Sequence, residues 1–295
     1  MDFDLAIGIF LTVVGITGNT IVLLVFTRKM FRETSIFRFL IAITICDSLN
    51  LAFLWPINYA DFFQLNSNLM ECKFVMYFTS LVFTIDPWLI LLCSLDRVLS
   101  AVHSSGFHLR KTLKFQLLEI SVIIIVMIIL NAPIFYFTKI IEFENTTSCG
   151  FDEKIPYIGF QLDSYIGFVS VLIPFILMLL STFLIWHTLM KKKKMGIINP
   201  RNWKKDKQLV KIMIIVDLYY LICNIPYYAY VLYFDALNIN YYTLLGYNFV
   251  NDLSIAFNSF CFFVYFLSIK LFRSYILKRI CCKSKLICDN RVEHG

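Results

Sequence analysis

Asp96 and Arg97 stand side by side directly after the apolar run LLCSL. A carboxylate beside a guanidinium can form a charge-assisted hydrogen bond, which is stronger than a neutral one. A second acid, Asp206, lies twenty residues before Pro226, and twenty helical residues cover about 30 Å, one membrane thickness. If both segments are membrane-spanning helices, Asp206 therefore reaches the membrane level of Arg97. The alternative is that Arg97 only extends from a helix end to the membrane surface.

Two further acids, Asp47 and Asp86, lie in the middle of apolar stretches. An unpaired carboxylate inside lipid is expensive, and it usually faces a polar cavity, a partner or a cation. Asn258 could contribute to the same site from a later stretch. The alternative is that one or both acids are protonated and hydrogen-bonded. Asp217 and Asp252 raise the same question with less context.

The histidines argue against an intramembrane enzyme, which would need a metal or nucleophilic constellation. All of them fall at or beyond the ends of the apolar stretches on one side, so they form no buried zinc site. They are His103, His108, His187 and His294. We therefore predict that the chain is not an enzyme and has no catalytic residues.

Long apolar stretches must position these side chains. The chain is 59% hydrophobic and only 16% charged, with a mean hydropathy of +0.73, which is far from a soluble domain. Lipid requires each spanning backbone to satisfy its own hydrogen bonds, so the stretches are helices. We predict an all-α membrane protein, a seven-transmembrane helix bundle forming a single domain over residues 1–295. The predicted spans are about 5–26, 35–59, 70–100, 115–137, 157–190, 209–234 and 241–268, followed by a cytoplasmic tail, 269–295.

The basic residues give the orientation. All but three of the 27 Lys and Arg residues fall on the side opposite the amino terminus, the exceptions being Lys73, Lys139 and Lys154. Basic residues mark the cytoplasmic side, so the amino terminus lies outside and the carboxyl terminus inside. The segment that begins with Met1-Asp2-Phe3-Asp4 lacks the basic start of a signal peptide and is predicted to be an uncleaved anchor.

The cysteines sharpen this topology. Four of the nine fall within spans and three in the tail, which leaves Cys72 and Cys149 in the oxidising compartment. A disulfide between them would pin the connection between spans four and five to the outer end of span three. Asn145 begins an Asn-Thr-Thr glycosylation acceptor on the same side.

In this frame, the chain resembles the rhodopsin-like (class A) family of G-protein-coupled receptors. The third span begins at Cys72 and ends in Asp96-Arg97, as in that family, although Val98 replaces the usual aromatic residue. Other matches are spread over nearly the whole chain. They are Gly18-Asn19 in span one, Asp47 in span two, Pro174 in span five, Pro226 in span six, and Tyr265 with Phe272-Arg273 after span seven.

The resemblance implies an activation switch formed by Asp96, Arg97, Asp206 and Tyr265, in which a bond between spans three and six breaks when span six swings outward. Such an ion pair can act as a two-state element. The family also implies a sodium ion as a candidate allosteric ligand at Asp47, with Asp86 and Asn258 as further members of the site.

Some motifs depart from the family. The usual Cys-Trp-x-Pro of span six reads Cys223-Asn224-Ile225-Pro226, and the seventh span has Phe262 in place of the usual proline. Thr79 stands where amine receptors carry aspartate, and Ile255 stands where light-sensing members carry lysine, so both subclasses are disfavoured. The segment FNSFCFFVYFLSIKLFR is similar to that of invertebrate neuropeptide (FMRFamide-like) receptors.

The predicted function is a receptor that binds an extracellular ligand, a small neuropeptide, and activates a heterotrimeric G protein. An acidic outer face with aromatic spans suits a small basic peptide, although this face could also be merely solvated. The alternatives are a seven-span transporter or channel, or a receptor for a non-peptide ligand. The predicted ligand pocket comprises Thr79, Phe83, Gln161, Tyr165, Tyr227, Tyr228, Tyr230, Asn251 and Asp252.

The inner surface is basic, which suits a plasma-membrane protein that contacts anionic lipid or a G protein, and no nucleic-acid partner is predicted. IKLFRSYILKRI, from Ile269, is predicted to form a short amphipathic helix on that surface after the seventh span.

Overall fold

The structure is a computed structural model, and it describes residues 2–58, 68–102, 112–143, 146–151, 167–195, 200–234 and 241–279. Within these ranges, side chains are described for residues 6–53, 68–99, 112–140, 149, 167–195, 208, 210–230 and 246–279.

The described chain is almost entirely helical, which confirms the predicted fold class. The first four spans are the helices Asp2–Phe26, Ser35–Asn58, Leu69–Val102 and Leu113–Phe137, with a short helix, Lys29–Arg32, after the first. The fifth span comprises a π-helical turn, Phe168–Leu172, and the helix Ile173–Lys194. The sixth is Pro200–Phe234, and the seventh is the pair Tyr241–Ser259 and Cys261–Ser268. Residues 270–279 form the predicted helix after the last span.

Six of these helices are long and apolar enough to cross a membrane, and a bent pair makes a seventh span. The two halves of span seven meet at an angle of 52° around Phe260. The predicted seventh span, 241–268, is thus present, and the sequence analysis did not predict its bend. The predicted segment 157–166 of the fifth span lies outside the described residues.

The fifth span opens with a π-helical turn, which shifts the register of its backbone hydrogen bonds. The indole Nε1 of Trp88 on span three donates to the carbonyl oxygen of Val169 at 3.1 Å. In lipid a carbonyl outside the regular pattern needs an internal donor. Trp88 therefore stabilises an irregular turn that no single sequence signal predicted.

The fourth span is mostly exposed to the surroundings of the bundle, and Asn131 is among the polar side chains that attach it to span three. Asn131 is 3% exposed, and its Nδ2 donates to Thr84 Oγ1 and to the Met127 carbonyl, each at 2.8 Å. Its Oδ1 accepts from Ser80 Oγ at 3.0 Å. Hydrogen bonds between spans contribute about 0.6–2 kcal/mol each. The Asn131 amide thus links spans three and four, and the fourth span contains no tryptophan.

At the end of the bundle that the sequence predicts to be cytoplasmic, named the inner end from here on, aromatic rings join spans one, two and seven to the helix at 270–279. The Phe26 ring lies 5.1 Å from those of Phe37 and Phe272 and 5.6 Å from that of Tyr265. Phe31 completes the group, 5.7 Å from Phe26. Phe272 is fully buried, so the predicted amphipathic helix is attached to the bundle by its apolar face.

The outer connection after span four forms a hairpin that the all-helical prediction missed. Strands β1 (Thr138–Phe143) and β2 (Thr146–Phe151) pair antiparallel, with Ile140 opposite Cys149. Cys149 forms the predicted disulfide with Cys72 at the start of span three. The hairpin was difficult to predict because its residues carry no tight-turn signal and follow directly on a long apolar helix.

Spans one and seven approach closely because two glycines face the break. A Cβ on Gly15 would lie 2.4 Å from Leu51 Cδ1 and 2.8 Å from Ser259 Cα. A Cβ on Gly18 would lie 2.9 Å from Phe262 Cβ. Small residues allow helix backbones to approach closely in membranes. Here they place span one directly against the bent segment of span seven.

We expect Gly15→Ala to destabilise the protein by about 1–3 kcal/mol, because its methyl group would collide with the backbone at Ser259. The measurement is the thermal unfolding midpoint of detergent-solubilised protein. Thr17→Ala, at an exposed position on the same helix, is the control and should leave the midpoint unchanged. An unchanged midpoint in the Gly15 variant would contradict the close packing.

Candidate functional site

A polar cluster closes the inner end of span three. Ser35 Oγ, on the first residue of span two, donates to Asp96 Oδ2 at 2.8 Å, and Arg97 Nε donates to the same oxygen at 3.1 Å. The Nη2 group of Arg97 also bonds to Asp96 and to Ser35. The side chains of Arg97 and Asp96 are only 11% and 4% exposed. Arg97 is therefore held within the bundle and does not extend to the membrane surface.

The predicted bond between Arg97 and Asp206 stays a prediction, because the Asp206 side chain lies outside the described residues. Its position in the helix Pro200–Phe234 places it at the inner end of span six, as expected. Ser35 was missed by the sequence analysis. The only feature of the sequence that could have indicated this contact is the hydroxyl of Ser35 at the start of span two, at the membrane level where span three ends.

An apolar cluster seals the inner ends of spans three, five and six beside this pair. It consists of Val98, Ile185, Leu189 and Val210, with Ile214 packed against it. Val98 is the residue that replaces the family's aromatic side chain after the arginine. In this protein it is 9% exposed and forms part of the seal.

Deep in the bundle, Asp47 and Asp86 are 0% and 2% exposed. Both carboxyl oxygens of Asp47 and the Oδ1 atom of Asp86 lack a hydrogen-bond partner among the described residues. The two carboxyls are near enough to interact electrostatically, and the Cys261 thiol also lies near Asp47. The structure thus brings together two acids that the sequence had placed at the same depth.

Other polar oxygens of spans one, two, three and seven are also buried without a described partner. They are Asn19 Oδ1, Asn50 Oδ1, Ser94 Oγ and Asn258 Oδ1. Asn258 was predicted here, whereas Asn50 and Ser94 were missed because small polar residues are common inside bundles. Oxygen atoms of this kind are the donors that hard cations prefer. The described residues include no group of three or more His, Cys, Asp or Glu side chains that could hold a metal.

Side chains donate hydrogen bonds to carbonyls beside the break in span seven, and one of these carbonyls, that of Ala256, also accepts from the Phe260 N–H at 3.0 Å. Asn19 Nδ2 donates to the Asn258 carbonyl at 3.2 Å, and Tyr219 OH of span six donates to the Ala256 carbonyl at 2.6 Å. The Phe257 carbonyl accepts from Cys261 Sγ at 3.3 Å. These bonds hold a bend that has no proline within it.

Asn224 stands where the family carries the span-six tryptophan, and it also contacts span seven. Its Oδ1 accepts from Ser254 Oγ at 2.9 Å, and its Nδ2 donates to the Tyr220 carbonyl at 3.1 Å. The departure from the family motif therefore replaces an aromatic contact with a polar link between spans six and seven.

Tyrosines dominate the outer halves of spans six and seven. Phe83 of span three lies 6.4 Å from the Tyr227 ring and 5.7 Å from the Tyr228 ring. Tyr247 of span seven lies 6.2 Å from Tyr227 and 6.3 Å from Tyr230. Aromatic faces attract cations and pack against apolar side chains. Tyr247 was missed because the sequence gave no reason to prefer it over other tyrosines.

The remaining predicted pocket residues have different outcomes. Thr79 Oγ1 is buried without a described partner, and Asn251 and Asp252 are half-buried on the same span as Tyr247. Gln161, Tyr165 and the glycosylation residue Asn145 lie outside the described residues. These assignments therefore stay predictions.

Comparison with known proteins identifies related chains. The family described as 7 transmembrane receptor (rhodopsin family) matches residues 18–269, more than half of the chain. An allatostatin-A receptor of Bombyx mori is 26% identical over 251 residues, which cover 80% of this chain and 67% of the relative. A type-1 angiotensin II receptor B of Mus musculus is 29% identical, and a type-1 angiotensin II receptor of Homo sapiens 28%. Both of these matches cover 73% of this chain and 60% of the relative.

The bond at the break of span seven gives a direct prediction. Tyr219→Phe removes one hydroxyl and leaves the Ala256 carbonyl without that donor, so we expect a loss of about 0.6–2 kcal/mol in stability. Thermal unfolding in detergent measures it. Tyr136→Phe removes a hydroxyl at a position that is 76% exposed and serves as the matched control. Equal midpoints for the two variants would contradict the structural role of this bond.

Proposed function

The chain belongs to the rhodopsin family of seven-transmembrane receptors, and from this premise we propose that it binds an extracellular peptide and activates a heterotrimeric G protein. The family consists of receptors, which confirms the prediction that the chain is not an enzyme. The transporter or channel alternative is accordingly disfavoured. The peptide, the G protein and the movement of the sixth helix are parts of the proposal.

One observation carries this proposal. Arg97 is held by Asp96 and Ser35 at the inner ends of spans two and three, beside an apolar seal that includes span six. Breaking a partly buried ion pair and opening a seal require a driving force, which differential binding of a ligand can supply. A receptor needs such a two-state element, whereas a passive anchor does not.

The ligand is proposed from the outer halves of the spans. Phe83, Tyr227, Tyr228 and Tyr247 offer aromatic faces, and Asp252 lies one residue beyond Asn251 on span seven. Aromatic side chains with a nearby carboxyl suit a small basic peptide that carries apolar side chains. The relatives include an allatostatin-A receptor and angiotensin II receptors, and their names denote peptide ligands. A receptor for a non-peptide ligand stays the alternative.

Tyrosines connect this outer region to the core. Tyr228 shares a hydrogen bond with Ser170 of span five at 2.9 Å, and Tyr220 OH donates to the Ser170 carbonyl at 3.1 Å. Asn224, one helical turn further in than Tyr228, and Tyr219, next to Tyr220, both bond to span seven. A ligand that displaces the outer tyrosines would therefore act on the contacts that spans five and seven make with span six.

The remaining partners follow from the charge distribution. We propose a multi-pass plasma-membrane protein with its amino terminus outside, because the Lys and Arg residues concentrate on the opposite side. That basic side, including Lys191 to Lys194 and the helix at 270–279, would face anionic lipid and the G protein.

A sodium ion is proposed as an allosteric ligand of the buried polar cluster. Asp47, Asp86 and Asn258 would hold it, with Ser94 and Asn50 as further oxygen donors. The support is the set of buried oxygens that lack a described partner, since a cation would neutralise part of the carboxylate charge there. Protonation of one or both acids is the alternative.

We expect cells expressing the chain to respond to at least one member of a panel of basic amidated peptides, with promiscuous and native G proteins present. Arg97→Ala should abolish the ligand-dependent response, because it removes the two-state element through which ligand binding is proposed to act on the inner end of the bundle. G-protein dissociation measured by energy transfer is the readout. Arg28→Ala, an exposed basic residue near the same surface, should retain the response. Silence of the native chain despite normal surface expression would count against a peptide ligand.

Sodium binding predicts a specific stabilisation of the purified receptor. In sodium chloride we expect the unfolding midpoint to lie about 2–4 °C above that in choline chloride at equal concentration. Asp47→Asn should remove this difference, whereas Glu33→Gln, at an exposed position, should preserve it. A midpoint that does not distinguish the two salts in the native chain would refute the site.

A further inference from the structure

Asp217 is a buried carboxyl of span six that the proposed switch does not use. It is 5% exposed, and its Oδ2 accepts a hydrogen bond from Thr182 Oγ1 of span five at 2.9 Å. Its other oxygen, Oδ1, is buried with no partner among the described side chains. Only one of the two carboxyl oxygens is therefore hydrogen-bonded, and this bond crosses the interface between spans five and six.

The surroundings shut this carboxyl off from the cytoplasm. One turn further in along span six, Met213 Sδ lies 3.7 Å from Cys93 Sγ of span three. Beyond that contact lies the apolar seal formed by Val98, Ile185, Leu189 and Val210. Water therefore reaches Asp217 from the inner side only if spans five and six separate.

This arrangement gives the closed and open states different energies. In the closed state a carboxylate with an unpaired oxygen loses hydration without full compensation. In an open state water could hydrate both oxygens, so the charge favours opening. The Thr182 hydroxyl favours the closed state, because it can donate its hydrogen bond to the carboxylate only while spans five and six are in contact.

We propose that the Thr182–Asp217 pair sets the balance between the closed and open inner ends of spans five and six, with the hydroxyl favouring closure and the unpaired carboxylate oxygen favouring opening. This inference rests on the proposed function, since it concerns the movement of the sixth helix. It assigns a coupling role to two residues that no family motif marks in this sequence.

The two partners should therefore have opposite effects when they are changed. Thr182→Val keeps the side-chain shape but leaves the carboxylate unpaired, so the open population rises about 3- to 20-fold. Asp217→Asn keeps an oxygen that can accept the Thr182 bond but removes the buried charge, so the open population falls. A purely structural contact would shift both variants in the same direction.

The test uses the full-length purified receptor without any added ligand. Fluorophores are attached through azido-phenylalanine at Gln208 and Leu113, which are exposed near the inner ends of spans six and four. Azide coupling leaves the native cysteines unlabelled. Single-molecule energy transfer between the two positions measures the open fraction of the native chain, Thr182→Val and Asp217→Asn. Unfolding midpoints confirm that each variant is folded.

Ser181→Ala is the matched control. Its hydroxyl is also buried on span five, but it donates to the Met178 carbonyl of its own helix at 2.8 Å, so its loss should leave the open fraction unchanged. An increase in the Thr182 variant together with a decrease in the Asp217 variant supports the proposal. No change in either variant, or a shift in the same direction, overturns it.

Basal G-protein activation, measured in parallel, separates this inference from the proposed function. Opposite shifts in the open fraction without any G-protein activation would support the pair's role and count against G-protein coupling. Activation by the native chain together with unchanged open fractions in both variants would support coupling and overturn the role of the pair.

Discussion

Lipid supplies no hydrogen bonds, and this constraint governs every irregular feature of the bundle. The π-helical turn of span five is accompanied by a bond from Trp88, and the isolated amide of Asn131 attaches span four. The bend in span seven is held by donors from two other spans, Asn19 and Tyr219. The π-helical turn and the bend are thus both stabilised by side chains of neighbouring spans. The helices consequently depend on one another for their shape.

Several buried polar groups, in contrast, have an oxygen without a hydrogen-bond partner among the described residues. Asp47 and Asp86 lie together within the bundle, and Asp217 lies between spans five and six, where it bonds to Thr182. A buried oxygen without a partner raises the energy of the state that buries it. Binding of a cation or separation of the spans would relieve that cost. Buried oxygens without a hydrogen-bond partner can therefore both bind a cation and favour one arrangement of the spans over another.

The departures from family motifs are compensated locally in this chain. Asn224 replaces an aromatic residue and bonds to Ser254, which keeps spans six and seven linked. Val98 replaces another aromatic residue and joins the apolar seal next to Arg97. The seventh span bends at Phe260 without a proline. In this chain, the residues at the first two of these positions therefore form contacts between spans.

The sequence by itself determined the number of spans, the positions of Asp47 and Asp86 within them, and the Cys72–Cys149 pairing. These features depend on apolar length, on charge placement and on which cysteines face the oxidising side, all of which are local properties. Only the tertiary structure decided that Ser35 binds Asp96, that Tyr219 bonds to the break in span seven, and that the break exists at all. Such contacts join residues far apart in the chain. They depend on how the helices rotate and approach one another, and a one-dimensional pattern of polar residues does not specify that geometry.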